Sequence, residues 1–168
     1  MAAVTQVSPS TIPIVFSIFG VGMTFGSIVV PMFADRALMR TAGAVLVFSA
    51  VSLALFPFMA GNIWTLSLSI FLIGCGGSLG TVLQTRLMDV AEDAQGLAAA
   101  LNHSAFNTAN ALGPYLGGLA IAAGFGWVST GWVGCALALG GLALWAVSVS
   151  VDRDSTRRQQ TLATDAAN

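Results

Sequence analysis

Residues 84–118 read QTRLMDVAEDAQGLAAALNHSAFNTANALGPYLGG, and they set the character of the whole chain. The stretch holds Arg86, the acids Asp89, Glu92 and Asp93 and the only histidine, His103. An apolar segment lies on each side of its short charged turn, and each is long enough to cross a bilayer. The second segment carries His103, Asn107 and Asn110 before it reaches Gly113-Pro114. Polar side chains so deep in an apolar segment need partners in a protein interior or a wet cavity. That points to a translocation path.

Composition agrees. The chain has 168 residues, 56% hydrophobic and 8% charged, with a mean hydropathy of +0.85. Soluble domains carry about 25% charged residues, so too little charge is present to cover a water-facing surface. The expected fold class is all-α, a polytopic membrane helical bundle, because helices satisfy their own backbone in lipid. Arginine supplies every basic residue, and the net charge of -1 excludes a nucleic-acid partner, which needs a basic face. Cys75 and Cys135 both lie in apolar runs, which argues against a disulfide framework or a metal site. No cofactor is expected.

Residues 1–12 lack a positively charged leader and read as an extracytoplasmic lead rather than a signal peptide. Ser10, Thr11 and Pro13 mark a helix start. The bundle spans 13–150, with crossings expected at about 13–33, 41–60, 63–88, 97–123 and 127–149. Gly22 and Gly26 in the first crossing form a GxxxG spacing that permits close helix contact in lipid. Gly76 and Gly80 thin the third in the same way, and Gly113, Pro114, Gly117 and Gly118 the fourth. The turns are Ala34–Arg40, Gly61-Asn62, the acidic run after Met88, and Gly124-Phe125-Gly126. Asp89, Glu92 and Asp93 suit the first turn of the following helix, where acids complement its dipole. Residues 151–168 form a polar cytoplasmic tail, expected to be disordered beyond its first few residues.

Five crossings put the first turn, the third turn and the tail on one side. Those hold Arg36 and Arg40, then Arg86, then Arg153, Arg157 and Arg158, while the lead and the other turns hold no arginine. The positive-inside rule makes that side cytoplasmic, with the N-terminus outside and the C-terminus inside. Trp64, Trp127 and Trp132 then gather at the outer interface and Trp145 at the inner one.

Ala34-Asp35-Arg36 with Arg40 resembles the second copy of the G-x-x-x-D-R-x-x-R-R signature of the major facilitator superfamily. Pro31 stands at the glycine, and Leu38 and Met39 replace further members. Gln84 to Asn110 resembles the helix 10 to helix 11 region of arabinose-efflux-like permeases. Gly113-Pro-Tyr-Leu-Gly-Gly118 resembles the GPxxGG core of the drug-proton antiporter signature of helix 5, here in the repeat-related helix 11. The upstream glycines of that signature are absent, Ala109 taking the nearest place. The resemblance covers about residues 4–150 and implies helices 8–12 of a twelve-helix transporter in the cell inner membrane. It further implies export of a sugar, drug or metabolite by proton antiport in the complete protein. Helix 7 and the N-terminal half would have to come from elsewhere, as a missing part of the chain or as a partner. The alternative is a truncated or regulatory membrane protein without transport of its own.

Substrate sites in such folds lie between the halves near the bilayer midplane. His103, Asn107 and Asn110 fall at i, i+4 and i+7, on one helical face. They line a cavity or bond to neighbouring helices, with Asn110 leaning to the structural role beside Gly113. Thr81 and Gln84 are placed to face the same space. Asp35, Arg36, Arg40, Arg86 and Asp89 read as gate or structural charges that pair at the cytoplasmic end. No acid lies in the middle of any crossing, so the proton carrier belongs to the half not represented here. An intramembrane enzyme is excluded by the lack of HExxH or GxSxG and because His103 and Ser104 point to different faces.

Overall fold

In the computed structural model, which describes the backbone of residues 11–167 and side chains as far as residue 152, every regular element is helical. Five helices follow in order: α1 (Ile12–Met59), α2 (Ile63–Gly76), α3 (Leu79–Val90), α4 (Gln95–Ala120) and α5 (Ser129–Ala167). α1 is two limbs in one run. Its path turns back at Ala37, where φ is -158° and ψ is 69°. Val15 and Ala60 share one buried cluster while Ala34 and Ala42 share another, so limbs 12–36 and 38–59 run antiparallel. The reversal falls where Asp35, Arg36 and Arg40 draw the backbone to water.

The other turns have local causes. The Asn62 side chain caps α2 by accepting the Trp64 N–H at 2.9 Å, and the Thr65 hydroxyl donates to the otherwise unpaired Met59 carbonyl at 2.7 Å. Gly124 and Gly126 adopt φ of 90° and 78°, left-handed values that only glycine reaches cheaply, and so end a π-type turn at Ile121–Phe125.

Ile63–Val90 is one apolar run with a tight join where α2 ends at Gly76 and α3 begins at Leu79. At the join, Gly77 and Ser78 donate to Gly74 and Cys75 three residues back, tightening the coil. Two expectations need correction. The acids do not occupy the first turn of α4. Asp89 belongs to the last turn of α3, while Glu92 and Asp93 sit in a separate 3₁₀ turn, Glu92–Ala94, that Glu92 enters at φ 44°. The tail is not disordered: the α5 backbone stays helical to Ala167. An apolar segment that is already helical spares the tail the nucleation cost, and Arg, Gln, Leu and Ala propagate a helix well.

Packing is that of a bundle dissolved in lipid. The buried positions are mostly small, among them Gly22, Gly26, Ala34, Thr41, Ala42, Gly43, Ala50, Ser52, Ser69, Gly74 and Ser78. Large apolar side chains point outward instead, such as Phe16 at 67%, Phe58 at 75% and Leu144 at 74% exposure. Water would not tolerate so much exposed apolar surface, whereas lipid tails do not distinguish it from their own kind. Ile12–Met59, Ile63–Val90 and Ser129–Asp152 are long and apolar enough to cross a membrane.

Candidate functional site

The two ends of the bundle differ in chemistry. At one end the indole N–H of Trp145 on α5 donates to the Met39 carbonyl at 2.8 Å, just past the α1 reversal. Trp145 also packs against the cluster of Ala34, Ala42 and Val82. Arg86 of α3 donates to Asp152 of α5 at 3.0 Å. The three arginine-bearing segments therefore meet at one end. At the other end Val128 and Ile63 join the Val15–Ala60 cluster, and Trp132 sets its ring edge-on to Phe58 at 5.9 Å. Trp64, in the first turn of α2, and Trp127, in the turn before α5, are exposed.

The expected charge pairing is different in detail. Arg86 pairs with Asp152, a residue the sequence reading passed over, and with 39% and 50% of the two side chains exposed this pair contributes at most about 1 kcal/mol. Asp35, Arg36 and Asp89 form no ion pair among the described residues. They line a shared cavity of about 300 Å³ with Thr81 and Thr85. Thr81, Thr85 and Asp89 are successive turns of one α3 stripe facing the α1 reversal. Thr81 thus lines the cavity at the charged end.

α4 carries His103, Asn107 and Asn110 along its length. Its one strongly buried pair is Ala98 and Gly117. It meets α3 where Phe106 lies against Gly80, and α5 where Gly117 faces Thr130. At 100° per residue these contacts occupy one side of the helix, and His103, Asn107 and Asn110 form the adjoining stripe. All three are exposed, and none makes a side-chain hydrogen bond among the described residues. The remaining arc carries Leu97, Leu101, Leu112, Tyr115 and Leu119, also exposed. Gln84 is one turn beyond Gly80 and His103 is one turn before Phe106, which brings them to the same level of the antiparallel α3–α4 pair.

The glycines divide sharply. A Cβ at Gly22 would run into the Phe71 carbonyl and one at Gly26 into that of Cys75, while one at Gly76 would strike the Ser49 hydroxyl. Gly80 and Gly117 face side chains at ordinary contact distance, 3.4 Å. Gly113 and Gly118 meet nothing within 4 Å, so neither packs helices together among the described residues. Gly118 is exposed on the open part of α4, whereas Gly113 is half-buried on its contact side.

The chain matches the Major Facilitator Superfamily over residues 1–166. It is similar to the inner membrane transport protein YdhP of Escherichia coli K12, with 32% identity over 151 residues, covering 89% of this chain and 38% of the relative. It is also similar to the uncharacterized MFS-type transporter YfhI of Bacillus subtilis 168, with 34% identity over 115 residues, covering 66% of this chain and 28% of the relative. The chain thus spans well under half the length of these curated relatives. No solved structure matches it significantly.

Proposed function

Because this chain belongs to the Major Facilitator Superfamily, we propose that it supplies helices 8–12 of a secondary active transporter that exports a small molecule in exchange for protons. One observation carries the reading. The stripe of His103, Asn107 and Asn110 is exposed and without hydrogen-bond partners among the described residues, on a helix whose neighbours present apolar side chains to lipid. Lipid would penalise three such groups, whereas a wet cavity between two transporter halves would use them. The open face at Gly118 then meets helices of the rest of the transporter. A chain covering 38% of a relative's length also fits a membrane protein that does not transport alone.

The test is made in the complete transporter, screened in everted vesicles against labelled sugars and dyes. Asn107→Leu should weaken binding of the transported compound roughly tenfold, the effect of deleting one hydrogen bond to an otherwise buried polar group. The melting temperature should hold, since Asn107 has no hydrogen-bond partner among the described residues to strand. A lowered melting temperature with unchanged affinity would remove Asn107 from the site.

We further propose that the arginine end is cytoplasmic and that all five crossings span the inner membrane, with the N-terminus outside. The gathering of Arg36, Arg40 and Arg86 at one end supports this. In a chain with Cys75 and Cys135 replaced by serine, a cysteine at Asn62 should react with an impermeant maleimide in intact cells. One at Ala37 should react only after permeabilisation. The reverse pattern would turn the molecule over in the membrane.

A further inference from the structure

Two apolar grooves run along the outside of the bundle, on either side of limb 38–59. One, of about 540 Å³, lies between this limb, the first limb of α1 and α2, with Val29, Phe33 and Leu72 in its far wall. The other, of about 610 Å³, lies between the same limb and α5, with Leu142 and Trp145 in its far wall. Both are lined by Arg40, Ala44 and Phe48. Those residues are at i, i+4 and i+8, so they form one ridge about 12 Å long that separates the grooves. Arg40 stands at the end of the ridge where the arginine-bearing segments meet. It is exposed, it is the one charged residue lining either groove, and it has no ion pair among the described residues.

One cation where two apolar channels converge matches the shape and charge of a diacyl phospholipid. We propose that Arg40 binds the phosphate of an anionic glycerophospholipid, whose two acyl chains lie in the two grooves astride Ala44 and Phe48. The guanidinium fork suits phosphate oxygens, and the grooves offer each chain a protein wall in place of mobile lipid. Assigning the lipid to the cytoplasmic leaflet rests on the orientation proposed above. Binding itself does not, because a detergent micelle has no sides.

Native mass spectrometry of the purified full chain, titrated with phosphatidylglycerol or phosphatidylcholine, tests the site. One phosphatidylglycerol should be retained per chain in preference to phosphatidylcholine. Arg40→Gln should reduce that preference about fivefold, the effect of one basic residue near an anionic headgroup. Ala44 is exposed, so Ala44→Phe should fold while filling both grooves and weakening both lipids. Val51 lines only the groove beside α5 and is 52% exposed. Val51→Trp should therefore weaken the diacyl lipid and spare its single-chain lyso form. Equal retention of both lipids, unaltered by Arg40→Gln, would mean unspecific annular lipid and overturn the proposal. A chain dimer that Ala44→Phe dissociates would overturn it as well, giving the grooves to a second copy.

Discussion

Gly22→Leu should cost the bundle about 3 kcal/mol or more, enough to remove most folded protein from a detergent extract. The reason is a backbone-to-backbone contact. A Cβ at residue 22 would overlap the carbonyl oxygen of Phe71, and reciprocally one at Gly74 would lie 2.5 Å from the carbonyl of Phe19. Carbonyl oxygens inside helices cannot swing aside as a flexible side chain can. The first limb of α1 and α2 would have to separate along their whole contact. Dispersion between closely packed small residues, which stands in for the hydrophobic effect in lipid, would go with it. Gly20, two residues earlier, has no atom within 4 Å of its Cβ position. Gly20→Leu should therefore leave the melting temperature unchanged or raise it slightly, since leucine is the better helix former. Scanning fluorimetry of both variants beside wild type is decisive. Equal melting of Gly22→Leu and Gly20→Leu would show that the close contact is not made in the membrane.

Trp145→Ala should be the second severe change, at about 3 kcal/mol. Trp145 fastens α5 to the α1 reversal through its N–H bond to Met39, and its ring covers Gly43 so closely that no Cβ would fit there. It also closes the Ala34–Ala42–Val82 cluster. Removing the ring opens a void where four chain segments meet. Trp145→Phe separates the contributions: it keeps most of the packing and loses one hydrogen bond, worth about 1 kcal/mol. Leu144→Ala, at a neighbouring position with 74% exposure, is the lipid-facing control and should change little. Should the alanine and phenylalanine variants unfold alike under sodium dodecyl sulfate titration, the hydrogen bond would outweigh the packing.

The polar face of α4 is legible in the sequence alone. The spacing of His103, Asn107 and Asn110 places them on one face, and the structure keeps that face clear of the neighbouring helices. Spacing alone does not say which way α3 is rotated: Thr81 lines the cavity of Asp35 and Arg36, while Gly80, one turn before Gln84, lies against Phe106 of α4. The Arg86–Asp152 pair spans 66 positions and has no local signal. Asp152 was read with the tail, although it is held against α3.

What the sequence determined alone is what short-range chemistry governs. Apolar runs between charged or glycine-rich turns dictate helices that cross a membrane. Asn62, Gly124 and Gly126 then end or start them where cap and turn geometry require. Arginine counts per turn sort the two ends, because each charge seeks water near its own place in the chain. Tertiary structure alone decided how each helix is rotated about its axis. It separated Gly22, Gly26 and Gly74, which touch a neighbour's backbone, from Gly20, Gly113 and Gly118, where a Cβ would meet nothing among the described residues. It also brought two grooves together at Arg40. In water an amphipathic stripe would announce that rotation in the sequence. In lipid the face toward the protein and the face toward the membrane are both apolar, so only the fit of small residues against a particular neighbour selects between them.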